Sequence, residues 1–345
     1  MRFPRKPPVA SAGSGFVFIA LALALAVLFA APSPLASARA RQSDTPTDEV
    51  VANLAAGRVV IAVVKDAILI GTVENPIEAG VHPPIPVSIA TDRVGIVLGA
   101  VDWISPSSHQ QLARLDLELP HLRSHLVTTA PHIAVQGGDE ASDIEAIGQG
   151  LLERLDQVAP GLHGKLDLPE GEPLAELIVV DYLPSYGPEV WQLSYGIEQE
   201  EQDNDYWTTR VLRPGYLQFW PPEKGQPKTL VEFAYPPDGA PPTLVELLRN
   251  RDSRLEKVTS SDPKMAAAAN RFVQGESTKV SLADATQFLR AALDAIAPPD
   301  ARETMASITE EEGFSWILAP PREPQTPGII PQRPADAPTL APPRN

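Results

Sequence analysis

Four short runs of apolar, largely β-branched residues follow residue 57, and turn-forming residues separate them. None of these runs alternates between apolar and polar positions, which is typical of strands that are buried on both faces. The first two runs are separated by Lys65-Asp66, and the last two by Thr91-Asp92-Arg93. The Pro- and Gly-rich stretch 75–86 lies between these two pairs of runs. The sequence therefore predicts two hairpins, with strands at residues 58–64, 67–73, 87–90 and 94–100.

Apolar residues spaced three or four positions apart predict helices further along the chain. The clearest helical period covers residues 142–158, with Ser142 as the cap. Ser281 and Asp284 have the spacing of a capping box, which predicts a helix that reaches Ile296. Further helices are predicted from Ser107 or Ser108 to Leu117, at residues 243–249 and at residues 263–274.

Later β-prone runs indicate additional strands. Residues 175–182 and 190–198 flank a turn-forming sequence and predict a strand pair. An aromatic region follows, which we interpret as a small sheet extension or insertion within residues 199–275, and a last strand is expected at Phe314–Ala319. These elements predict an α+β domain over residues 57–319.

The C-terminal segment Pro320–Asn345 contains nine prolines and no apolar period. Such a composition cannot build a packed core. We therefore predict a disordered or polyproline II tail.

The first 40 residues have the pattern of an export segment. Three basic residues precede the uncharged apolar run Phe16–Ala31, and small residues up to Ala40 fit a signal peptidase site. We expect cleavage after Ala38 or Ala40, and the alternative is a membrane anchor formed by residues 9–31. Either case predicts an exported protein, periplasmic or secreted, with residues 41–56 as a linker.

Charge and cysteine content limit the partners of the exported part. After residue 40 the chain holds 24 basic and 44 acidic side chains, so we do not expect it to bind nucleic acid. Membrane contact is expected only through the N-terminal segment. The chain has no cysteine, which excludes disulfides and thiolate metal sites. The expected partner is an unknown protein or another component of the cell envelope.

The order of the predicted elements resembles the N-terminal-nucleophile hydrolase fold, in particular the proteasome β-subunit and its bacterial relatives. The resemblance covers about half of the chain and implies stacked antiparallel sheets flanked by helices, an αββα-like architecture. The matching stretches are VVIAVVKDAILIGT at 59–72, VSIATDRVGIVLG at 87–99, the helix 144–158 with the hairpin 177–195, and the helix 281–296 that begins Ser-x-x-Asp-Ala.

Active members of that family carry an N-terminal Thr, Ser or Cys immediately before the first strand, and its α-amino group acts as the base. The matching position falls at Gly57-Arg58, and no hydroxyl or thiol residue lies within residues 51–64. The family's lysine would fall at Pro84–Pro86 and its aspartate at Val73-Glu74. The resemblance therefore implies the fold without the hydrolase chemistry. We assign no catalytic, cofactor-binding or metal-binding residue.

Three histidines form a competing candidate site. His121 and His125 have the i, i+4 spacing of zinc ligands on a helix, and His132 lies nearby. No Glu follows His121, and Pro120 and Pro131 disfavour a long helix, so we prefer a reading without metal. An envelope hydrolase that uses a His-ligated metal is the alternative function.

Two other stretches have a functional and a structural interpretation. The acidic stretch Glu198–Asp205 could hold calcium, but it lacks the glycine and spacing of a calcium loop, so we interpret it as a solvated turn. Seven aromatic residues could line a ligand groove or form the core of a small sheet. They are Tyr206, Trp207, Tyr216, Phe219, Trp220, Phe233 and Tyr235.

The sequence thus predicts an exported, acidic α+β protein that is catalytically silent. It would act by binding or as a structural component of the envelope.

Deletion of Pro320–Asn345 should leave the melting temperature of the protein unchanged, because the tail contributes no core residue. Thermal unfolding of the full and shortened chains, followed by circular dichroism, measures this. A large loss of stability in the shortened chain would contradict the interpretation of the tail.

Overall fold

The computed structural model describes residues 50–75, 81–105, 110–122, 141–162, 165–166, 172–183, 187–202, 206–236 and 240–321. The strands are β1 Val51–Ala55, β2 Gly57–Val64, β3 Ala67–Glu74, β4 Val87–Ala90, β5 Arg93–Ser105, β6 Gln110–Arg114, β7 Ala175–Leu183, β8 Gly187–Tyr195, β9 Ile197–Glu201, β10 Trp207–Val211, β11 Gly215–Trp220, β12 Val231–Tyr235, β13 Glu303–Thr309 and β14 Gly313–Leu318. The helices are α1 (residues 115–122), α2 Ala141–Val158, α3 Leu244–Arg249, α4 Ser253–Ser261, α5 Pro263–Val273 and α6 Leu282–Ile296.

Most of the strands form two antiparallel sheets. The smaller sheet has the order β12-β2-β3-β13-β14. The larger sheet has the order β1-β5-β7-β8-β11, with β4 and β6 also paired to β5. The predicted hairpins β2–β3 and β4–β5 are confirmed, and each belongs to a different sheet. Strands β9 and β10 form a separate two-stranded sheet.

Three apolar layers hold the sheets and helices together. Alternate residues of β2 and β3, such as Ile61 and Ile70, pack against Ile96 and Ile178 of the larger sheet. The opposite face of the smaller sheet packs on α3–α6, and that of the larger sheet on α1 and α2. The predicted α+β class, with stacked antiparallel sheets between helices, is confirmed.

This layering explains why the early strands lack alternation. All eight residues of β2 and all eight of β3 are buried, because one face of each strand meets the other sheet and the second face meets the helices. The continuous apolar runs are the sequence consequence of that double burial.

The structure differs from the sequence prediction at the start of the larger sheet. Val51–Ala55, predicted to be linker, forms β1 and pairs with β5. Gln110–Arg114, predicted to be helical, forms β6, and the helix begins only at residue 115. The sequence of β6 has no β-branched residue, so pairing with β5 overrides its local preference.

The second half of the chain adds elements that the pattern did not predict. Helix α4 buries Leu255 but is otherwise mostly polar, and β13 is a short strand without a long apolar run. Of the predicted aromatic region, β10 pairs with β9, whereas β11 and β12 extend the two main sheets. The region is therefore partly a small separate sheet and partly an extension of the sandwich.

Packing explains the glycines of α2. A Cβ atom at Gly148 would lie 2.5 Å from the hydroxyl of Tyr216 and 3.0 Å from Leu193, and one at Gly150 would lie 3.0 Å from Leu122. The Gly148-Gln149-Gly150 sequence thus lets the larger sheet and α1 approach the helix closely.

Both termini lie outside the described residues, so the export segment 1–40 and the tail 322–345 remain sequence predictions. Within the part of the chain that the structure describes, no helix has the length and apolarity to cross a membrane.

Phe288→Ala should lower the free energy of unfolding by about 3–5 kcal/mol, because Phe288 is fully buried in the helix layer, 5.6 Å from the Phe272 ring centre. Leu117, which is 56% exposed, is the control, and Leu117→Ala should change stability by less than about 0.5 kcal/mol. Urea unfolding measures both, and equal effects would contradict the core assignment.

Candidate functional site

The layer between the sheets changes from apolar to polar at one end, which we call the Gly57 end. On the smaller sheet, Ile68 and Ile70 of β3 are followed on the same face by Thr72 and Glu74. On the larger sheet, Ile178 of β7 is preceded by Glu176 in the same alternation. Gln192 and Ser194 of β8 follow Val190 in the same way. Polar side chains from both sheets therefore lie at this end of the sandwich.

Gly57 lies at the start of β2, at the position that the sequence resemblance matches to a nucleophile. It has a positive φ of 154°. A Cβ atom there would overlap the carbonyl oxygen of Val73 and lie 3.0 Å from Cδ of Pro84. The position therefore has no room for a nucleophilic side chain.

The chain also continues through this position as ordered backbone. The amide of Ala56 donates to the carbonyl oxygen of His82, and the amide of His82 donates to that of Leu54. Residues 51–55 then pair with β5. The nitrogen of Gly57 is thus a peptide nitrogen in the chain that joins β1 to β2. Because its lone pair is delocalised into the peptide bond, it cannot act as a base.

The polar groups contributed by the smaller sheet are paired with each other. Glu74 is buried and accepts two hydrogen bonds from the guanidinium of Arg302, at 2.7 and 2.8 Å. The hydroxyls of Thr72 and Thr304, both buried, are 2.7 Å apart. These pairs hold β3 to β13 and neutralise the charge of Glu74.

Glu176 and Tyr235 face each other from the two sheets. Glu176 accepts a hydrogen bond of 2.6 Å from Gln192. Burial raises the pKa of Glu176; the hydrogen bond from Gln192 opposes this shift, and the charge of Glu172 adds to it. Burial, with the charges of Glu172 and Glu176, raises the pKa of Tyr235 to about 12. Burial among carboxylates therefore makes Glu176 harder to ionise and keeps the hydroxyl of Tyr235 protonated.

A second polar cluster lies three residues beyond Gly99 on β5 and is centred on Asp102. This carboxylate accepts hydrogen bonds from His82 (3.3 Å), Asn53 (3.2 Å) and Gln111 (2.7 Å). Burial alone would raise the pKa of Asp102, but the three hydrogen bonds outweigh it and hold the pKa below its ordinary value. An ionised carboxylate bonded to an imidazole is the arrangement that orients a general base.

Arg58 follows Gly57 but points to the helix side of its sheet. It lies 3.3 Å from Glu232 and donates to the carbonyl oxygens of Pro241 and Pro242 at 3.3 and 2.8 Å. Glu232 in turn accepts from the amide of Leu244 at the start of α3. These contacts fasten the segment before α3 to β2, so Arg58 has a structural role.

The opposite end of the sandwich forms a small acidic cleft of about 280 Å³. Its walls include Asp92, Glu310 and Glu311, together with the ring of Tyr182. On the neighbouring β7 position, burial raises the pKa of Asp181 to about 6, although Arg93 at 2.6 Å lowers it.

Among its described residues, the structure brings none of the candidate metal ligands together. His121 lies at the end of α1, whereas His125 and His132 lie outside the described residues. Glu198–Glu201 form part of β9, and residues 203–205 are again outside. No group of three or more His, Asp or Glu side chains in the described ranges is placed to hold a metal ion.

The aromatic residues divide between the two interpretations of the sequence. Trp220, Phe233 and Tyr235 are buried in the layer between the sheets, where Phe233 packs edge-on against Phe219 at 4.9 Å. Tyr206 and Tyr216 are exposed. The first three are core residues, and the other two lie at the surface.

Comparison with known proteins adds no relative to these observations. The chain matches no protein-family model. It also matches no curated protein. The functional assignment therefore depends on the geometry and chemistry of the Gly57 end.

The residues at this end were missed by motif searching, because they occur one per strand. The sequence does contain one signal of this end, in the alternation of each strand. Two positions along from a buried apolar residue, where a second apolar residue is expected, the strands carry Glu176, Gln192 and Thr304. Only the pairing of the strands shows that the replacements meet.

Glu176→Gln should stabilise the protein more at pH 7 than at pH 4. Because the folded pKa of Glu176 is raised, its ionisation costs stability as the pH rises through that pKa, whereas glutamine never ionises. Urea unfolding at both pH values measures the difference. The control is Glu200→Gln on exposed β9, expected to change stability by less than about 0.5 kcal/mol. An equal effect of Glu176→Gln at both pH values would contradict the assigned burial.

Proposed function

We propose that this chain is an exported, catalytically silent protein with an N-terminal-nucleophile-like fold, which acts by binding a partner or as a structural component of the cell envelope. The observation that carries the proposal is Gly57. A Cβ atom there would overlap a backbone oxygen, so the residue that would act as nucleophile in a hydrolase of this kind has no side chain and no space for one.

The surroundings of Gly57 support the same conclusion. Pro84, 3.0 Å from the Cβ position of residue 57, occupies the region where the family resemblance implies a lysine. The carboxylate of Glu74 is held by Arg302, so its charge is already neutralised. A hydroxyl attack needs a nucleophile within hydrogen-bond distance of a base, and Thr72 is bonded to the hydroxyl of Thr304 instead.

Binding is supported by the polar side chains that both sheets contribute to the Gly57 end. Burying polar groups is unfavourable unless they are paired, and a protein selected only for stability would continue the apolar layer to its edge. Here Glu176, Gln192 and Ser194 interrupt that layer on adjacent strands. We infer that this end contacts a ligand or partner that supplies hydrogen-bond donors.

A hydrolase is the second candidate, and one observation favours it. His82, with its side chain 24% exposed, is bonded to the ionised Asp102, which is a pair suited to general-base catalysis. Apart from His82, the partners of Asp102 are the side-chain amides of Asn53 and Gln111, which are not nucleophiles. A hydrolase of this kind would therefore use water or a group of the substrate as its nucleophile.

The exported protein should hydrolyse fluorogenic peptide amides and carboxylic esters no faster than buffer, and His82→Ala and Asp102→Asn should leave that rate unchanged. Initial rates between pH 5 and pH 8 measure this. A rate above buffer that falls about tenfold or more in both variants, with folding retained, would replace the binding proposal by the hydrolase.

A further inference from the structure

Three charged side chains form a row across the larger sheet, at the end that carries the acidic cleft. Asp181 of β7 lies directly opposite Arg93 of β5 on one side and Glu189 of β8 on the other. Residues that are directly opposite in antiparallel strands point to the same face of the sheet. This is the outer face, because Asp181 alternates with Val180, which faces the other sheet. We call these three residues the Asp181 row.

The Asp181 row is buried, and its charges do not balance. Asp181 is 1% and Arg93 8% exposed, whereas Glu189 is half-buried. The row thus holds two carboxylates and one guanidinium. A buried charge is tolerated only when it is paired and hydrogen-bonded. When both carboxylates are ionised, the row carries one negative charge that its own arginine does not compensate.

The hydrogen bonds of the row satisfy only one oxygen of Asp181. Nε of Arg93 donates to Oδ1 of Asp181 at 2.6 Å. Oδ2 is buried and, among the described residues, accepts no hydrogen bond. The indole of Trp191 donates to Glu189 at 2.7 Å and not to Asp181. An ionised Asp181 therefore keeps a buried acceptor unsatisfied, whereas a proton on Oδ2 removes the charge and makes this oxygen a donor.

The electrostatics of the row agree with this geometry. Burial raises the pKa of Asp181 to about 6; Arg93 opposes the shift, and the charges of Asp92 and Glu189 add to it. These groups face Asp181 from β5, from the turn before β5 and from β8. Because the folded pKa lies above the ordinary value, the protonated form stabilises the fold at acidic pH. This stabilisation is lost as the pH rises through the folded pKa.

We propose that Arg93, Asp181 and Glu189 form a pH-sensitive cluster, which holds the ends of β5, β7 and β8 together more tightly in mildly acidic than in neutral surroundings. The chain neighbours Asp92 and Tyr182 line the acidic cleft. The amide of Tyr182 also donates to the carbonyl oxygen of Asp92 at 2.9 Å, so the cleft wall belongs to the same strand pair. Loss of the proton therefore loosens this wall together with the strand ends.

The titration of Asp181 in the folded full chain tests the cluster directly. Carbon-13 NMR of the aspartate carboxyls should show a signal with a midpoint near pH 6, and Asp181→Asn should remove that signal. Glu189→Gln takes one negative charge from the row and should move the midpoint to lower pH. The matched control is Glu200→Gln on exposed β9, which should leave the midpoint unchanged.

Hydrogen exchange of the β7 amides measures the looser pairing. After correction for the intrinsic pH dependence of exchange, local opening should be about tenfold more frequent at pH 7 than at pH 4.5. Asp181→Asn resembles the protonated carboxyl and should abolish this difference. A midpoint in the ordinary range of aspartate would overturn the proposal, as would a midpoint that Glu189→Gln leaves in place or equal opening at both pH values. If Asp181→Asn does not fold, the exchange of the unsubstituted chain and the Glu189→Gln titration still decide.

Discussion

The face-to-face contact of the two sheets is the constraint on which the rest of the structure depends. Because helices also cover the outer faces, the central strands have no solvent-facing side, and β2 and β3 are buried at every position. Polar residues are therefore tolerated only where the sandwich ends. The acidic cleft beside Tyr182 marks one end, and the paired polar groups around Gly57 mark the other.

The sequence predicted the elements whose signal is local and strong. Two hairpin strands and one helix could be predicted without knowledge of the tertiary structure, because burial on fixed faces sets their apolar pattern. These are the runs around Ile61 and Ile70 and the helical period of α2. Strand β6 was missed since Gln110–Arg114 has helical preference and becomes a strand only through pairing with β5. The candidate site was missed for a related reason. Its residues are dispersed over β3, β5, β7, β8 and β12, and they converge only when the two sheets are stacked.

The same stacking leaves a polar end on the sandwich, which is the basis of the proposal that the domain binds without catalysing a reaction. Gly57 packs against Val73 and Pro84, which closes the space that a nucleophile would need. Arg302 neutralises Glu74, while Glu176 remains buried with a raised pKa. Among the described residues of the Gly57 end, Thr72 is bonded to Thr304 and Glu74 to Arg302, which fits the proposed binding role better than a nucleophilic one.

Intact mass spectrometry of the exported protein is the most direct test of catalytic silence. Activation of an N-terminal nucleophile would require a cut directly before a Ser or Thr, because the new terminal residue must supply both the nucleophilic hydroxyl and the free amino group that acts as its base. The account predicts a chain that is intact across the Ala56–Gly57 bond, with β1 still joined to β2. A major species that begins at a Ser or Thr would contradict the account and restore the case for an N-terminal-nucleophile enzyme.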